Sequence, residues 1–130
     1  MNLAARIAPA LLALALAACQ SPAPAPVALG KSAALRTMEQ VATAAYRCWF
    51  ESNDSDFRGY GFANELNSFA GAPRFLLVPK GNYGGRPLLV VQAEGSAGRV
   101  QVFGPLMDGE EGARIAGDVG RWTKGDLACA

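Results

Sequence analysis

Two runs of consecutive apolar residues constrain the fold of this chain more than any other feature of its sequence. Phe75–Val78 reads FLLV and Leu88–Val91 reads LLVV, so each run is apolar in both phases of a β-strand. Strands of this kind are covered on both faces, whereas a half-exposed strand alternates between apolar and polar residues. The sequence therefore predicts two covered strands, at Arg74–Val78 and at Leu88–Ala93.

A third strand is predicted at Arg99–Phe103, where apolar and polar residues alternate. The turn-forming segment Glu94–Gly98 joins it to the strand before it, which predicts a hairpin. Phe57–Leu66 is ambiguous, because Gly59 and Gly61 interrupt a pattern that otherwise suits a further strand. Three or four antiparallel strands in sequence order, a meander, follow from these patterns.

Apolar residues recur at helical spacing on both sides of the strands. Ser32–Arg47 has this spacing and begins with a residue suited to cap a helix N-terminus. Gly109–Lys124 has it too, although Gly112, Gly117 and Gly120 each cost roughly 1 kcal/mol of helix stability relative to alanine. The order predicts an α+β fold, a small antiparallel three- to four-stranded meander with an N-terminal and a C-terminal helix.

The N-terminus has the layout of a bacterial secretion signal. One cation, Arg6, precedes the apolar stretch Ile7–Ala15, which is too short to span a bilayer because a spanning helix needs roughly 20 residues. Leu16–Cys19 reads LAAC and resembles the lipobox of bacterial lipoproteins. This resemblance implies a signal peptide at residues 1–18, cleavage before Cys19 and acylation of Cys19. The alternative is an ordinary secretion signal that is cleaved after an alanine.

The same resemblance implies a location in the cell envelope. In the enteric sorting pattern an aspartate after the lipidated cysteine retains a lipoprotein at the inner membrane. Gln20 occupies that position here and favours an outer-membrane anchor that faces the periplasm. Residues 19–30 are rich in proline and alanine, which predicts a tether with extended polyproline II character. Residues 31–130 are long enough for a single domain.

The three cysteines of the chain divide into two roles. If Cys19 is lipidated, Cys48 and Cys129 remain in a compartment that oxidises thiols, and we expect them to form a disulfide. Such a bridge would close a loop of about 80 residues. The chain-entropy model predicts that it stabilises the fold by about 4.5 kcal/mol. The alternatives are a buried pair of free thiols or a metal site, for which two cysteines without histidine are a poor ligand set.

The charge balance gives no support for nucleic acid or anionic lipid as a partner. The chain has 12 Lys and Arg against 11 Asp and Glu. Removal of the signal peptide takes away Arg6 and leaves 11 residues of each sign. A domain with balanced charge lacks the basic footprint that binds phosphate backbones, and we expect no nucleic-acid partner.

Patterns for catalysis and metal binding are weak. The chain has no histidine, which excludes nucleophile systems that depend on a histidine base. The acidic pairs Asp54 with Asp56 and Glu110 with Glu111 suit a turn and the first turn of a helix better than a substrate cleft. The run from Asp54 fills several calcium-loop positions of an EF-hand, but Arg58 stands at a ligand position. We therefore expect no enzyme activity, no metal and no cofactor.

Arginine and aromatic residues cluster near both cysteines of the expected disulfide. These residue types are favoured at protein interfaces, and aromatic faces can stack on sugars. The candidate binding surface consists of Arg47, Trp49, Arg58, Tyr60, Arg121 and Trp122. The alternative is that the two tryptophans pack around the disulfide as part of the core.

The disulfide also predicts where the helices lie. A bridge between their ends favours both helices on one face of the sheet. The other face then needs cover from residues 57–72 and 104–109 or from another protein. A large exposed apolar patch usually marks an interaction site. We therefore hypothesise a protein-binding surface on the helix-free face, centred on one phase of residues 75–78 and 88–91.

These expectations favour a non-enzymatic lipoprotein that is anchored in the membrane and binds another envelope protein as an accessory or scaffold. An apolar face left open by folding would support that function. A concave aromatic cleft would favour a module that binds cell-wall glycan or a small molecule. A rigid protruding loop, such as residues 80–86, would favour an inhibitor of a hydrolase.

Overall fold

The computed structural model describes residues 30–68 and 71–130. The predicted signal peptide, the lipobox with Cys19 and most of the tether lie outside these residues. Along the chain, one helix precedes four strands and a second helix follows them. The order is α1 (Ala33–Ala45), β1 (Tyr60–Glu65), β2 (Arg74–Pro79), β3 (Leu89–Glu94), β4 (Arg99–Phe103) and α2 (Gly112–Thr123). Within the described ranges, neither helix has the length and apolar character needed to cross a membrane.

The four strands form one antiparallel sheet in which every strand pairs with its neighbours in sequence, in the order β1-β2-β3-β4. The predicted α+β meander with two helices and one disulfide is therefore confirmed. The ambiguous segment supplies the first strand at Tyr60–Glu65, after a short 3-10 turn at Ser55–Phe57. In this arrangement β1 and β4 are the two edges of the sheet.

The first helix runs further than its sequence pattern predicts. The Ser32 hydroxyl accepts a hydrogen bond from the Leu35 backbone N–H at 3.1 Å and caps its start. Beyond Ala45 the backbone continues without a break into a π-helical turn, Tyr46–Glu51. Cys48 therefore lies inside the helical segment rather than after it. π-Helical turns widen a helix and are frequent at functional sites.

The second helix starts later than predicted, at Gly112 rather than Gly109. Pro105–Asp108 forms a 3-10 turn first, and the chain then passes very close to itself. A Cβ atom on Gly112 would lie 2.2 Å from the Met107 carbonyl oxygen, so this contact requires glycine. Glu110 and Glu111 consequently precede the helix, and the prediction that they occupy its first turn is wrong.

Both helices pack on the same face of the sheet and enclose one hydrophobic core. Alternate side chains of the central strands β2 and β3 point into this core. They are Phe75, Leu77, Leu89, Val91 and Ala93. Trp49 lies at the centre of the core. Its ring stacks on Phe57 at a centroid distance of 4.5 Å and contacts Trp122 at 5.1 Å. Stacked and tilted aromatic pairs of this kind add to the stabilisation that comes from area burial.

The helix-free face is less open than the sequence predicts. Six of the eight residues at positions 75–78 and 88–91 are buried, and only Leu88 and Val90 are half-buried. Tyr83 provides part of this cover, because its ring lies 3.1 Å from the position that a Cβ atom on Gly61 would occupy. Gly61 pairs with Val78 in the sheet, and Val78 is fully buried. The predicted apolar patch therefore does not reach its expected extent.

Candidate functional site

The two tryptophans of the candidate surface lie in the core. Trp49 is 1% exposed and Trp122 is fully buried. The indole N–H of Trp49 donates to the buried carboxylate of Asp118 at 2.8 Å, and that of Trp122 donates to the Ala128 carbonyl at 3.1 Å. Their packing satisfies their polar atoms within the fold, so neither ring is available to a ligand as a stacking surface.

The two arginines next to the disulfide hold the C-terminal tail. Cys48 and Cys129 are bonded to each other. Arg47 donates to the Leu127 carbonyl, and Arg121 donates to the Ala128 carbonyl at 3.0 Å. Residues 126–130 have no regular secondary structure, so these bonds and the bridge fix their path. The arginine side chains therefore serve an intramolecular role here.

Arg114 pairs with the two aspartates of the acidic run that resembled a calcium loop. Its guanidinium donates to both carboxylate oxygens of Asp54, at 3.2 and 2.5 Å, and to Asp56 at 2.8 Å. It also lies over the Phe57 ring, 5.3 Å from the centroid. The hydrogen bond from Arg114 is the main reason that the pKa of Asp54 falls below its ordinary value. In the described part of the chain, no three carboxylate, cysteine or histidine side chains form a cluster that suits a metal ion.

A cleft remains at the edge strand β1, between the π-helical turn and the loop after β2. It has a volume of about 360 Å³. Seven aromatic side chains line it: the buried Trp49 and Phe57, and five that are at least partly exposed, Tyr46, Phe50, Tyr60, Phe62 and Tyr83. We call it the aromatic cleft. Of the candidate residues from the sequence, Arg58 and Tyr60 line its walls and the buried Trp49 reaches its floor.

The π-helical turn and β1 together position the aromatic walls. Tyr46 and Phe50 are four residues apart, which places them on one side of the helical segment, and their rings stack at a centroid distance of 6.0 Å. Phe62 projects from β1 and meets both rings edge-on, at 5.5 and 5.6 Å. A further groove of about 480 Å³ shares Tyr46 and Phe62 with the cleft and lies between α1 and β1, with Leu66 in its lining.

Polar groups enter the aromatic cleft from three segments. Asn53 ends the helical segment with a φ of 56°, a left-handed conformation that asparagine tolerates better than most residues. Arg58 and Lys80 supply positive charge, and neither takes part in an ion pair within residues 30–68 and 71–130. Because Arg114 holds Asp54, the lining side chains whose charge has no ion pair in the described residues are cationic, and the charge of Arg58 also lowers the pKa of Asp54.

Tyr60 supplies a hydroxyl group to the same cleft. Burial, and to a smaller degree the charge of Glu111, raises the pKa of its phenol. Both causes disfavour the phenolate. The hydroxyl therefore stays protonated at neutral pH, where it can donate a hydrogen bond to an oxygen atom of a ligand.

Most of the cleft was not identified from the sequence. Phe50 belongs to the aromatic residues that cluster near Cys48 in the sequence, but Tyr46, Phe62, Lys80 and Tyr83 were all missed. The spacing of Tyr46 and Phe50 was a usable signal, because two aromatic residues four positions apart share a helix face. Tyr83 had a weaker signal as a single aromatic residue in a glycine-rich loop.

Comparison of the chain with protein-family models, curated proteins and solved structures finds no match.

Proposed function

We propose that this chain is a lipid-anchored binding module of the bacterial cell envelope, and that its aromatic cleft binds a cell-wall glycan that carries carboxylate groups. The anchor follows from the resemblance of Leu16–Cys19 to a lipobox, with Cys19 as the lipidated residue. One observation supports the ligand class above the others, namely the convergence of five at least partly exposed aromatic rings and two unpaired cations on one cleft.

Exposed aromatic surface in the cleft suits the flat apolar face of a sugar ring. Tyr46 is 47% exposed and Tyr83 is 64% exposed, although both contact neighbouring residues. A tyrosine in this position offers a rigid apolar ring with a polar tip, and it loses little conformational entropy when a ligand orders it. Ligand sites generally combine such apolar walls with a few convergent polar groups.

The positive charges of Arg58 and Lys80 favour an acidic sugar over a neutral sugar as the ligand. Hydrogen bonds between a cationic donor and a carboxylate are about twice as strong as neutral ones. The Tyr60 hydroxyl and the Asn53 amide add neutral hydrogen-bonding groups. The proposed function is binding without turnover, because Asp54, the carboxylate of the cleft, is held by two hydrogen bonds from Arg114.

Calorimetry of the full chain in detergent, with soluble glycan fragments released from peptidoglycan by a muramidase, tests this proposal. Tyr83→Ala should weaken binding by up to about tenfold, since an aromatic contact contributes about 0.5–1.5 kcal/mol. Phe103→Ala is the matched control, because Phe103 is 47% exposed and lies outside the cleft. Fragments with amidated carboxylates should bind more weakly. Failure of the wild-type chain to bind the fragments, or equal loss in both variants, would contradict the proposal.

An envelope protein as partner is the second candidate function. Its original support, a wide apolar patch on the helix-free face, is reduced by the burial of Leu76 and Val78. A different surface, at the opposite edge of the sheet, supports a protein partner independently of the aromatic cleft.

A further inference from the structure

The edge strand β4 leaves backbone hydrogen-bonding groups open. Within the described residues it pairs with β3 alone, in the register from Val90 opposite Phe103 to Glu94 opposite Arg99. Alternate residues of an antiparallel edge strand direct their N–H and C=O groups away from the sheet. Such an edge is a template for the addition of another strand.

A groove lies between this edge and α2, and we call it the β4–α2 groove. It has a volume of about 570 Å³. Val100, Val102, Met107 and Val119 form its apolar walls. On the helix side, Gly120 keeps it open, because a Cβ atom there would meet no described atom within 4 Å. The groove can therefore take apolar side chains from a strand that pairs with β4.

Two cations line this groove. Arg99 begins β4 and Lys124 follows α2, and both line the groove. Neither belongs to an ion pair among residues 30–68 and 71–130. Glu94 lies opposite Arg99 in the sheet, but its carboxylate accepts a hydrogen bond from Gln92 at 2.8 Å instead. An acidic partner would complement both charges.

We propose that the β4–α2 groove binds an extended acidic segment of a partner protein, which adds to β4 as a fifth strand. The backbone of the segment would pair with β4, and its apolar side chains would enter the groove between Val100 and Val119. Its carboxylates would pair with Arg99 and Lys124. This site is separate from the aromatic cleft, which lies at the other edge of the sheet.

Two synthetic peptides test the charge requirement on the full chain in detergent micelles. The acidic peptide EEVTVTVEE places its valines on one face of a strand and carboxylates on both faces at each end, and KKVTVTVKK is its lysine twin. Fluorescence anisotropy of the labelled peptides should show binding of the acidic peptide, with the lysine twin at least about tenfold weaker. The double variant Arg99→Glu with Lys124→Glu should reverse this preference. If the acidic peptide does not bind, or binds no better than its twin, the proposal is wrong.

A pair of glycine variants tests whether the peptide binds in the β4–α2 groove. Gly120→Met should fill the groove and weaken binding of the acidic peptide at least about tenfold. Gly117→Met is the matched control on the same helix, since a Cβ atom there also meets open space and Gly117 does not line the groove. Equal peptide affinity in the two variants would overturn the proposal. So would a dimer, measured by sedimentation, that Gly120→Met dissociates and that the peptide does not displace.

Discussion

The two edges of the sheet carry grooves of different chemistry, although both belong to the same antiparallel meander. At β1 the adjacent helical segment contributes large aromatic residues, Tyr46 and Phe50, and the groove is aromatic and polar. At β4 the adjacent helix contributes Ala116 and Gly120, and the groove is aliphatic. The edge strands differ in the same way, since β1 contributes Tyr60 and Phe62 whereas β4 contributes Val100 and Val102. The strand and the helix beside it together determine what each edge can bind.

The two edges also differ in the covalent bonds and ion pairs that hold neighbouring elements together. The β1 side includes the disulfide and the ion pairs of Arg114, which join α2 to the turn before β1. On the β4 side, aliphatic side chains line an open groove between the strand and α2, and no ion pair or disulfide within the described residues joins the two elements. We therefore expect substitutions on the β1 side to have the larger effects on stability. Substitutions on the β4 side, which we call the open edge, should have small effects or none.

Loss of the disulfide should have the largest effect. Cys129→Ala should lower the free energy of unfolding by about 2–5 kcal/mol. Without the bridge, the unfolded chain regains the loop entropy that the bridge removes. Denaturant unfolding of the oxidised wild type and the variant measures this. A variant as stable as the wild type would show that Arg47 and Arg121 hold the tail without help from the bridge.

Removal of the central guanidinium should have the next largest effect. Arg114→Ala leaves Asp54, whose side chain is 17% exposed, without its cation. We expect a loss of about 1.5–3 kcal/mol, the range for hydrogen bonds to charged groups. Lys124→Ala is the control at the open edge and should be neutral. Thermal unfolding compares the two, and equal losses would remove the distinction between the edges.

The acid limb of the stability curve gives a finer test of the same ion pair. The pKa of Asp54 lies below its ordinary value of 3.8 in the folded protein. Its contribution is therefore complete above that value and is lost as the pH falls through the lower folded pKa. Asp54→Asn should flatten the dependence of stability on pH in this range. Urea unfolding at a series of acidic pH values measures it, and an unchanged slope would assign the acid sensitivity to other carboxylates.

Local patterns predicted the strands well, since the apolar runs Phe75–Val78 and Leu88–Val91 are short and bounded by turn-forming residues, although Leu88 and Val90 are only half-buried. They failed where the structure depends on distant residues. The contact of Trp49 with Asp118 joins positions 69 residues apart, and the cover of Gly61 by Tyr83 depends on the path of a loop. The late start of α2 depends on the backbone contact at Gly112. The aromatic cleft is made of such distant contacts, so composition near the cysteines identified only part of it.

The smallest effect should come from the open edge and should have the opposite sign. A glycine inside a helix costs up to about 1 kcal/mol relative to alanine, and the structure shows no close contact that requires one at Gly120. Gly120→Ala should therefore stabilise the protein by about 0.5–1 kcal/mol, whereas Gly112→Ala should destabilise it because the added Cβ atom collides with Met107. Chemical unfolding of both variants checks the two signs. A loss of stability in Gly120→Ala would mean that the β4 edge, like the β1 edge, depends on close packing by its helix.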